Sequence, residues 1–399
     1  MLSRNEATTA NLSELREQIP AVKKWAYLDN AAIGPMSSPA RDVLSGWADD
    51  SANNGDIVWG GWSERVESAR QSAARMVGAE LEEIALVNNT TNGINIVAEG
   101  FPWKDGDNVV TLDNEFPANI YPWTNQADRG VQTRMVPVED GRPSLERIVE
   151  ACDARTRVVS VSWVSYSSGW RHDLDRLAEV VHSQGALLFV DVIQGLGVFE
   201  LDVKKTPIDF ACADSHKWML GPEGAGVFFI RREHLDKLRP CAIGWRSVER
   251  PSEFTDLGQP LRKMASRYEG GTQCMGALAA MGASIDLLQS FGTAAISQRV
   301  IELSDYACER LSSIGAEIKT PRDVFGSDAS SQYDTNKSGI VVFQFPDQDT
   351  EALKQRCIEQ GVAVSCRAGN LRASMHAYNN EQDIERLIEV LKRGVISYQ

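Results

Sequence analysis

The sequence predicts an α/β protein with a mostly parallel sheet in a large domain and a small α+β domain at the C-terminal end. Two observations support this prediction. Short, continuously apolar runs alternate with helical patterns over most of the chain, as expected of strands that are buried on both faces. From Leu287 onward the pattern changes to a long helix, a polar stretch and short mixed elements. A length of 399 residues also favours two domains over one core.

The strands of the large domain are predicted from short apolar runs. They are Ile84–Val87, Val109–Leu112, Val158–Val164, Leu187–Val190, Phe210–Ala213 and Val227–Ile230. Two helices are marked by spacing and end signals: Ser63–Val77, which stops at Gly78, and Asp173–Gln184, which Asp173 caps. The opening twenty-odd residues look helical and polar, and Asp29–Pro35 is predicted to be a loop of small residues.

The C-terminal part is predicted to hold a second, smaller unit. The loop Thr320–Lys337 is followed by a strand at Ile340–Phe345, a helix at Thr350–Gln360, a strand at Val362–Ser365 and a helix at Gln382–Lys392. We therefore expect a large domain at residues 23–286 and a small domain formed by residues 1–22 and 287–399.

Composition restricts the class of partner and the compartment. The formal net charge is −14, which argues against nucleic acid or an anionic membrane as a partner. The start lacks the apolar core of a signal peptide, and no apolar run reaches membrane-spanning length. The seven cysteines are scattered and never in CxxC spacing, which favours reduced thiols in a cytoplasmic protein over a disulfide framework or a zinc site.

Lys217 is the residue around which the candidate site is organised. It follows the strand Phe210–Ala213 and precedes the glycine-rich turn Gly221–Gly226, so it lies on a loop between two buried strands. A desolvated lysine has a lowered pKa and can act as a nucleophilic amine in Schiff-base chemistry. The alternative is a surface lysine whose stem packs on Trp218.

Other polar groups follow neighbouring strands, where ligands bind in open α/β sheets. Asn88–Asn95 combines hydroxyls, a glycine and a helix N-terminus, which together suit a phosphate, although these residues also cap helices without a ligand. Asp191 ends one strand. A buried acid at this position is explained either by a role in ligand binding or by capping of the next turn. Near the C-terminus, Arg367 and Arg372 flank a short turn. The forked guanidinium group of an arginine can bind a carboxylate through two hydrogen bonds. The alternative is that both are ordinary solvated arginines.

Together these groups are what pyridoxal 5′-phosphate requires of a protein. Their order also resembles a known family: the chain is similar to fold-type I pyridoxal-phosphate enzymes of aminotransferase class V, in the branch of cysteine desulfurases, selenocysteine lyases and isopenicillin N epimerases. The resemblance runs from Tyr27 to the C-terminal helix and is most specific at Ser215-His216-Lys217 and the turn behind it. It implies a seven-stranded, mostly parallel sheet, a small amino-acid substrate and a homodimer.

The resemblance also implies roles for individual residues. Lys217 would form the Schiff base with the cofactor, Asp191 would bind its pyridinium nitrogen, and Gln194 its ring hydroxyl. The remaining implied cofactor contacts are Thr90, Thr91 and His216 at the phosphate, Asp214 beside them, Phe116 against the ring, and Gly271-Thr272 reaching the phosphate of the neighbouring subunit. The implied substrate contacts are Arg372, which binds the carboxylate, together with Arg367 and Asn30.

Several positions depart from the family pattern. Phe116 replaces a histidine and Tyr166 an asparagine. Asp214 replaces a phosphate-binding serine, so that Ser215 takes over that contact or Asp214 holds His216 instead. The long loop with the catalytic cysteine of desulfurases is missing, because four residues separate Arg367 from Arg372. Cys366 is expected to be a strand residue that behaves as a small buried hydrophobe, which argues against a true desulfurase.

These observations predict an enzyme that acts on the α-carbon of an amino acid as a C–S or β-elimination lyase or as an aminotransferase. An epimerase remains an alternative, although Phe116 supplies no second acid across the ring. A sensor or scaffold that binds the cofactor without catalysis is another. A third alternative is a nucleotide-binding α/β protein, against which no Walker or dinucleotide glycine pattern is present. We expect no metal.

Overall fold

The computed structural model describes residues 12–322 and 336–396. Thirteen strands are assigned within these ranges. They are β1 Ala26–Tyr27, β2 Ile84–Val87, β3 Asn108–Leu112, β4 Gln132–Val136, β5 Thr156–Ser162, β6 Leu187–Asp191, β7 Phe210–Asp214, β8 Gly226–Ile230, β9 Glu317–Ile318, β10 Ile340–Gln344, β11 Val362–Ala363, β12 Ser365–Arg367 and β13 Asn370–Ser374.

The described residues form eleven α-helices. They are α1 (residues 12–17), α2 Ser38–Asn54, α3 Trp59–Val77, α4 Thr90–Gly100, α5 Tyr121–Thr124, α6 Leu145–Ala151, α7 Leu174–Ser183, α8 Met275–Phe291, α9 Thr293–Ser312, α10 Thr350–Glu359 and α11 Glu381–Ile396. None of these described helices is long and apolar enough to cross a membrane.

The central sheet has seven strands in the order β2-β8-β7-β6-β5-β3-β4. Only β8 runs antiparallel to its neighbours β2 and β7, and the other pairs are parallel. The prediction of a seven-stranded, mostly parallel sheet is therefore confirmed. Since β2 and β7 both run antiparallel to β8, they share one direction, and the carboxyl ends of all strands except β8 lie at the same edge.

A second sheet has four antiparallel strands in the order β12-β13-β10-β9, and β1 pairs with β11 in a separate parallel pair. The side chains beneath this sheet form their own apolar cluster, which includes Val341, Phe343 and Leu387. The pairing of β1 with β11 ties residues 26–27 to the C-terminal part of the chain. The exact domain bounds stay a prediction.

The predicted helix ends are confirmed by their caps. The Asp173 carboxylate accepts a hydrogen bond from the Arg176 backbone N–H at 3.1 Å, at the start of α7. Gly78 ends α3 with φ +69°, in the left-handed region that favours glycine.

Other element predictions differ from the structure for identifiable reasons. The edge strand β4 was not predicted, because its polar residues are partly exposed and do not form an apolar run. The predicted strand Val362–Ser365 is divided between β11 and β12, which pair in different sheets. Most of the predicted loop Thr320–Lys337 and the first part of the predicted opening helix lie outside the described residues.

Candidate active site

A cavity of about 320 Å³ opens at the edge where the parallel strands end. The loops after β2, β3, β6 and β7 and the β12–β13 hairpin all reach it. Ten of the predicted site residues line this cavity: Thr90, Thr91, Phe116, Asp191, Gln194, Asp214, His216, Lys217, Arg367 and Arg372. The structure therefore brings together residues that lie up to 282 positions apart in the sequence, from Thr90 to Arg372.

Lys217 is buried, with only 9% of its surface exposed, so the surface-lysine alternative is wrong. The loop that carries Lys217 is held by a backbone hydrogen bond from Gly34, whose N–H donates to the His216 carbonyl at 2.7 Å. A Cβ at Gly34 would collide with the Lys217 carbonyl, so glycine is needed there. Burial, together with the nearby cations Arg372 and Arg367, lowers the pKa of Lys217 to about 8 against the opposing effect of Asp191.

Asp191, the last residue of β6, is buried and lines the cavity. Its carboxylate accepts the Ile193 backbone N–H at 3.0 Å, so it caps the following turn and also faces the site. Burial raises the pKa of Asp191 to about 6, although the Ile193 N–H and Lys217 both favour the ionised form. A cation placed next to Asp191 would restore the ordinary ionisation of this carboxyl group.

Gln194 is bonded at both ends of its amide. Its Nε2 donates to the Ala31 carbonyl at 2.9 Å, and its Oε1 accepts from Trp218 Nε1 at 2.7 Å. These bonds hold the loop of small residues, the tryptophan next to Lys217 and the end of β6 in one arrangement. The predicted contact of Gln194 with the cofactor hydroxyl stays a prediction.

The N-terminus of α4 forms one wall of the cavity. Asn89 caps the helix, because its Oδ1 accepts from the Asn92 backbone N–H at 2.9 Å. The Thr90 hydroxyl accepts from the Asp214 backbone N–H at 3.0 Å, which ties the helix start to the end of β7. Backbone N–H groups in the first turn of a helix have no partner within the helix, so this wall suits an anion.

The family pattern has a serine where this chain has Asp214, and the contacts of the neighbouring residues explain the difference. Asp214 Oδ1 lies 3.0 Å from His216 Nδ1. The Ser215 hydroxyl is fully buried and donates to the Pro222 carbonyl at 2.5 Å, away from the cavity. Of the two sequence alternatives, the geometry favours the one that places Asp214 beside His216, at a distance that allows an ion pair but without the geometry of a hydrogen bond.

Two aromatic rings stand at the cavity entrance. Phe116 is 44% exposed and meets Tyr166 edge to face, with ring centroids 5.2 Å apart. Lys217 Nζ lies 5.6 Å from the centroid of the Phe116 ring. The Phe116 ring therefore covers the lysine without offering a proton donor or acceptor.

Arg372 and Arg367 project from the β12–β13 hairpin. Its turn contains only Ala368 and Gly369, with φ +48° and +76°, as expected of the two-residue turns that suit hairpins. Arg372 lies opposite Ser365 and is buried; its pKa is lowered to about 10, chiefly by burial. The hairpin closes where a desulfurase would carry its cysteine loop.

Cys366 points to the opposite face of the same strand. Its thiol donates to the Thr350 carbonyl at 3.5 Å and packs against the core below the four-stranded sheet. Burial and the neighbouring Glu351 raise the pKa of Cys366 to about 11. The predicted strand position is confirmed, and a thiol with this pKa is a poor source of thiolate.

Three predicted site residues do not line the cavity. Asn30 lies behind its wall, fully buried, where its Nδ2 donates to the Ser374 carbonyl and its Oδ1 accepts from the Tyr378 hydroxyl. Asn30 does not line the cavity, and its predicted contact with the substrate stays a prediction. Gly271 and Thr272 are exposed beside a separate cavity of about 440 Å³.

Two acids near the site were missed as functional candidates. Glu115 is buried and accepts from the Ser162 backbone N–H at 2.6 Å and from the Ser162 hydroxyl at 2.5 Å; burial raises its pKa to about 7. Asp29 lies 3.4 Å from Arg372. Glu115 directly precedes Phe116, the predicted contact with the cofactor ring. This position next to a predicted site residue is the sequence signal that could have identified Glu115 as a functional candidate.

Comparison with known proteins identifies the family. The model of the family described as Aminotransferase class-V matches residues 26–387. The chain belongs to aminotransferase class V. Two relatives in this family are each named probable cysteine desulfurase. The protein of Methanothermobacter thermautotrophicus is 30% identical, and the match covers 95% of this chain and 97% of the relative. The protein of Pyrococcus abyssi is 26% identical, and the match covers 96% of this chain and 98% of the relative.

Solved structures of the family share the fold. The apo cysteine desulfurase of Thermococcus onnurineus superposes with a TM-score of 0.84 at 24% identity, covering 96% of this chain and 98% of that one. A cystine C–S lyase solved with its product cysteine persulfide has a TM-score of 0.84 at 22% identity, covering 94% and 99%. The class V assignment excludes the nucleotide-binding alternative.

Aminotransferase class V enzymes depend on pyridoxal 5′-phosphate, and this is the cofactor of the present chain. The cavity suits it chemically. A buried amine and a buried carboxyl face the same space, and a helix N-terminus lies beside them. These three groups match an aldehyde, a pyridine nitrogen and a phosphate, so the residues that would hold the cofactor are Lys217, Asp191 and the first turn of α4.

Proposed function

We propose that this class V enzyme is a C–S lyase that acts on a small α-amino acid. The observation that supports it most strongly is the convergence of Lys217, Asp191 and Arg372 on one cavity of about 320 Å³. The names of its relatives and of the structures that share its fold also point to carbon–sulfur chemistry. When bound, pyridoxal phosphate supplies the electron sink that makes the α-proton of an amino acid acidic.

Lys217 is the residue that removes the α-proton. Because burial lowers the pKa of Lys217 to about 8, an appreciable fraction of the amine is neutral near pH 7 and can accept a proton. Asp191 faces the same cavity, where its carboxylate would stabilise a protonated pyridine nitrogen. Arg372 fixes the substrate carboxylate and so determines which bond at the α-carbon faces the base.

The rest of the cavity favours elimination over epimerisation. Epimerisation needs a second acid across the cofactor ring, and Phe116, which the family resemblance places against that ring, cannot supply one. A scaffold without catalysis would not need a lysine with a lowered pKa, a carboxylate clamp and a buried acid in one cavity. An aminotransferase reaction uses the same residues and differs only in where the proton returns.

Product analysis tests the proposal. In elimination the Cα–H and Cβ–S bonds break. The sulfur leaves as hydrogen sulfide from L-cysteine or as cysteine persulfide from L-cystine, and hydrolysis of the remaining carbon skeleton gives pyruvate and ammonia. We expect pyruvate from L-cysteine or L-cystine, with products identified by mass. Formation of alanine with stoichiometric transfer of sulfur to the protein would instead indicate a desulfurase, and amino-group transfer to a keto acid would indicate an aminotransferase.

Cys366 is expected to be dispensable. Cys366→Ala should keep kcat/KM within about twofold of the wild type, because the thiol faces Thr350 and not the cavity. Mass spectrometry after incubation with L-cysteine should find no persulfide on Cys366. The exposed thiol of Cys241 provides a matched control as Cys241→Ala. A persulfide on Cys366, together with lost activity in Cys366→Ala, would restore the desulfurase mechanism.

Arg372→Lys is expected to lower kcat/KM by an amount equivalent to roughly 2–4 kcal/mol. The substitution keeps the positive charge but removes the planar fork that binds a carboxylate through two parallel bonds. Steady-state kinetics should show both a higher KM and a lower kcat. Arg75→Lys, on an exposed arginine, is the control for the chemical change alone. Near-normal kinetics in Arg372→Lys with a severe defect in Arg367→Lys would assign the clamp to Arg367.

A further inference from the structure

Tyr166 follows β5 and lines the same cavity as Lys217. Its backbone carbonyl accepts a hydrogen bond from Arg372 Nη1 at 3.0 Å, so the residue is fixed beside the arginine that is proposed to bind the substrate carboxylate. Its ring meets Phe116 edge to face, with the centroids 5.2 Å apart. The Phe116 ring in turn lies 5.6 Å from the amine of Lys217. Tyr166 therefore contacts the groups on both sides of the α-carbon that the site would hold.

The hydroxyl group of Tyr166 has no use within the fold. It makes no hydrogen bond to any residue in the ranges 12–322 and 336–396. The phenol opposes the lowering of the Arg372 pKa by burial, so its oxygen lies within electrostatic reach of that guanidinium. Because the side chain is half-buried and lines the cavity, its hydroxyl group is open to a ligand.

The other proton donors of the cavity are less suited to act on a substrate side chain. The Ser162 hydroxyl donates to Glu115 at 2.5 Å. Asp214 and His216 face each other at 3.0 Å, and Lys217 is assigned to the α-proton. The threonines at the start of α4 have aliphatic hydroxyl groups, which are much weaker acids than a phenol. Tyr166 is left as the acid for a group that departs from the β-carbon.

A C–S lyase needs such an acid only when the departing sulfur is strongly basic. A persulfide leaves readily as an anion, whereas an alkyl thiolate is a stronger base and leaves much faster when an acid protonates it. We propose that Tyr166 protonates the departing sulfur and that the substrates of this site include small S-alkyl cysteines, which are thioethers. The inference rests on the proposed function, because it names the substrate class of the same lyase.

The step needs no oxidant or reductant. The Lys217 amine takes the α-proton, and the electron pair of the Cα–H bond forms the Cα–Cβ double bond. The electron pair of the Cβ–S bond goes to sulfur, which takes the Tyr166 proton and leaves as a neutral thiol. The Lys217 ammonium returns its proton to the phenolate through solvent, which restores both groups. The alkyl group has to be small, because the cavity of about 320 Å³ also holds the cofactor.

Two substrates with leaving groups of similar size test the proposal. S-Ethyl-L-cysteine releases ethanethiol, and S-trifluoroethyl-L-cysteine releases a thiolate that fluorine makes much less basic. Tyr166→Phe should lower kcat/KM for the ethyl substrate by about 100-fold or more, the contribution expected of general acid catalysis, and for the trifluoroethyl substrate by less than about fivefold. Pyruvate release measures both rates. The cofactor content, measured by absorbance after gel filtration, should be the same in variant and wild type.

Tyr121→Phe is the matched control, because Tyr121 is 69% exposed and lies outside the cavity, so it should change neither rate. An equal loss for both substrates in Tyr166→Phe overturns the proposal. So does a wild-type enzyme that strongly prefers the trifluoroethyl substrate, a result that decides the matter even if Tyr166→Phe does not fold. Both results leave the C–S lyase proposal standing, which fails only if no sulfur amino acid yields pyruvate. Recovery of the D-thioether would place the Tyr166 proton on the α-carbon and overturn the proposal as well.

Discussion

Replacing Lys217 by alanine should reduce turnover by about 100-fold or more, because the substitution removes the base for the α-proton. The protein should remain folded, since Lys217 is held through its backbone contacts and donates no side-chain hydrogen bond among the described residues. The variant should still bind pyridoxal phosphate, now without a covalent bond. Steady-state assays and a near-ultraviolet absorbance spectrum after gel filtration measure the two effects.

Covalent labelling supplies an independent measurement of the same assignment. Borohydride treatment of the wild-type holoenzyme should fix the mass of the cofactor on the peptide that contains Lys217, and the Lys217→Ala variant should lose that adduct. Lys24→Ala is the control, because Lys24 lies outside the cavity with its ammonium 5.2 Å from the Trp25 ring centroid. An adduct on Lys23, Lys24 or Lys263 in place of Lys217 would contradict the assignment of the whole site.

The central sheet and the cavity-forming loops could be predicted from the sequence because their signals are local. Buried strands appear as apolar runs, and the polar residues that end them must be paired or functional. Lys217, Asp191 and Thr90 were identified in this way, each at or shortly after the end of a strand. The parallel arrangement then brings these loops to one edge, so the prediction of the cavity follows from the prediction of the sheet.

The parts that could not be predicted depend on contacts distant in the sequence. Asn30 lies in a loop beside the cavity, and only its bonds to Ser374 and Tyr378 show that its amide is used within the wall. The role of Glu115 in holding Ser162 depends on a partner 47 residues away. The direction of the Cys366 thiol is set by the pairing of β12 with β13. One sequence alone does not show which distant residues these side chains contact.

Thr272 tests the proposed homodimer, in which each active site combines residues from two chains. In the structure Thr272 is exposed and does not line the cavity of its own chain. The base of its loop is rigid, because the buried Glu269 pairs with Arg70 and accepts the Leu86 backbone N–H at 2.8 Å. A fixed, exposed loop of this kind is suited to contact a second chain. We propose that it reaches the cofactor phosphate of the partner subunit.

Mixing two inactive variants should therefore restore activity. Thr272→Asp places a negative charge against the partner's phosphate and should disable that site by like-charge repulsion. In a hybrid dimer of Thr272→Asp with Lys217→Ala, one site has both substitutions and the other has neither. With random pairing and independent sites, activity should return to roughly a quarter of the wild-type value.

The control is Lys217→Ala mixed with Arg372→Ala. Both residues serve the same site of one chain, so every hybrid site has one defect and no activity should return. Subunit exchange is verified by native mass spectrometry of differently tagged chains. If exchange is complete and the first mixture stays inactive, Thr272 does not act across the subunit interface, and the two-chain active site is wrong.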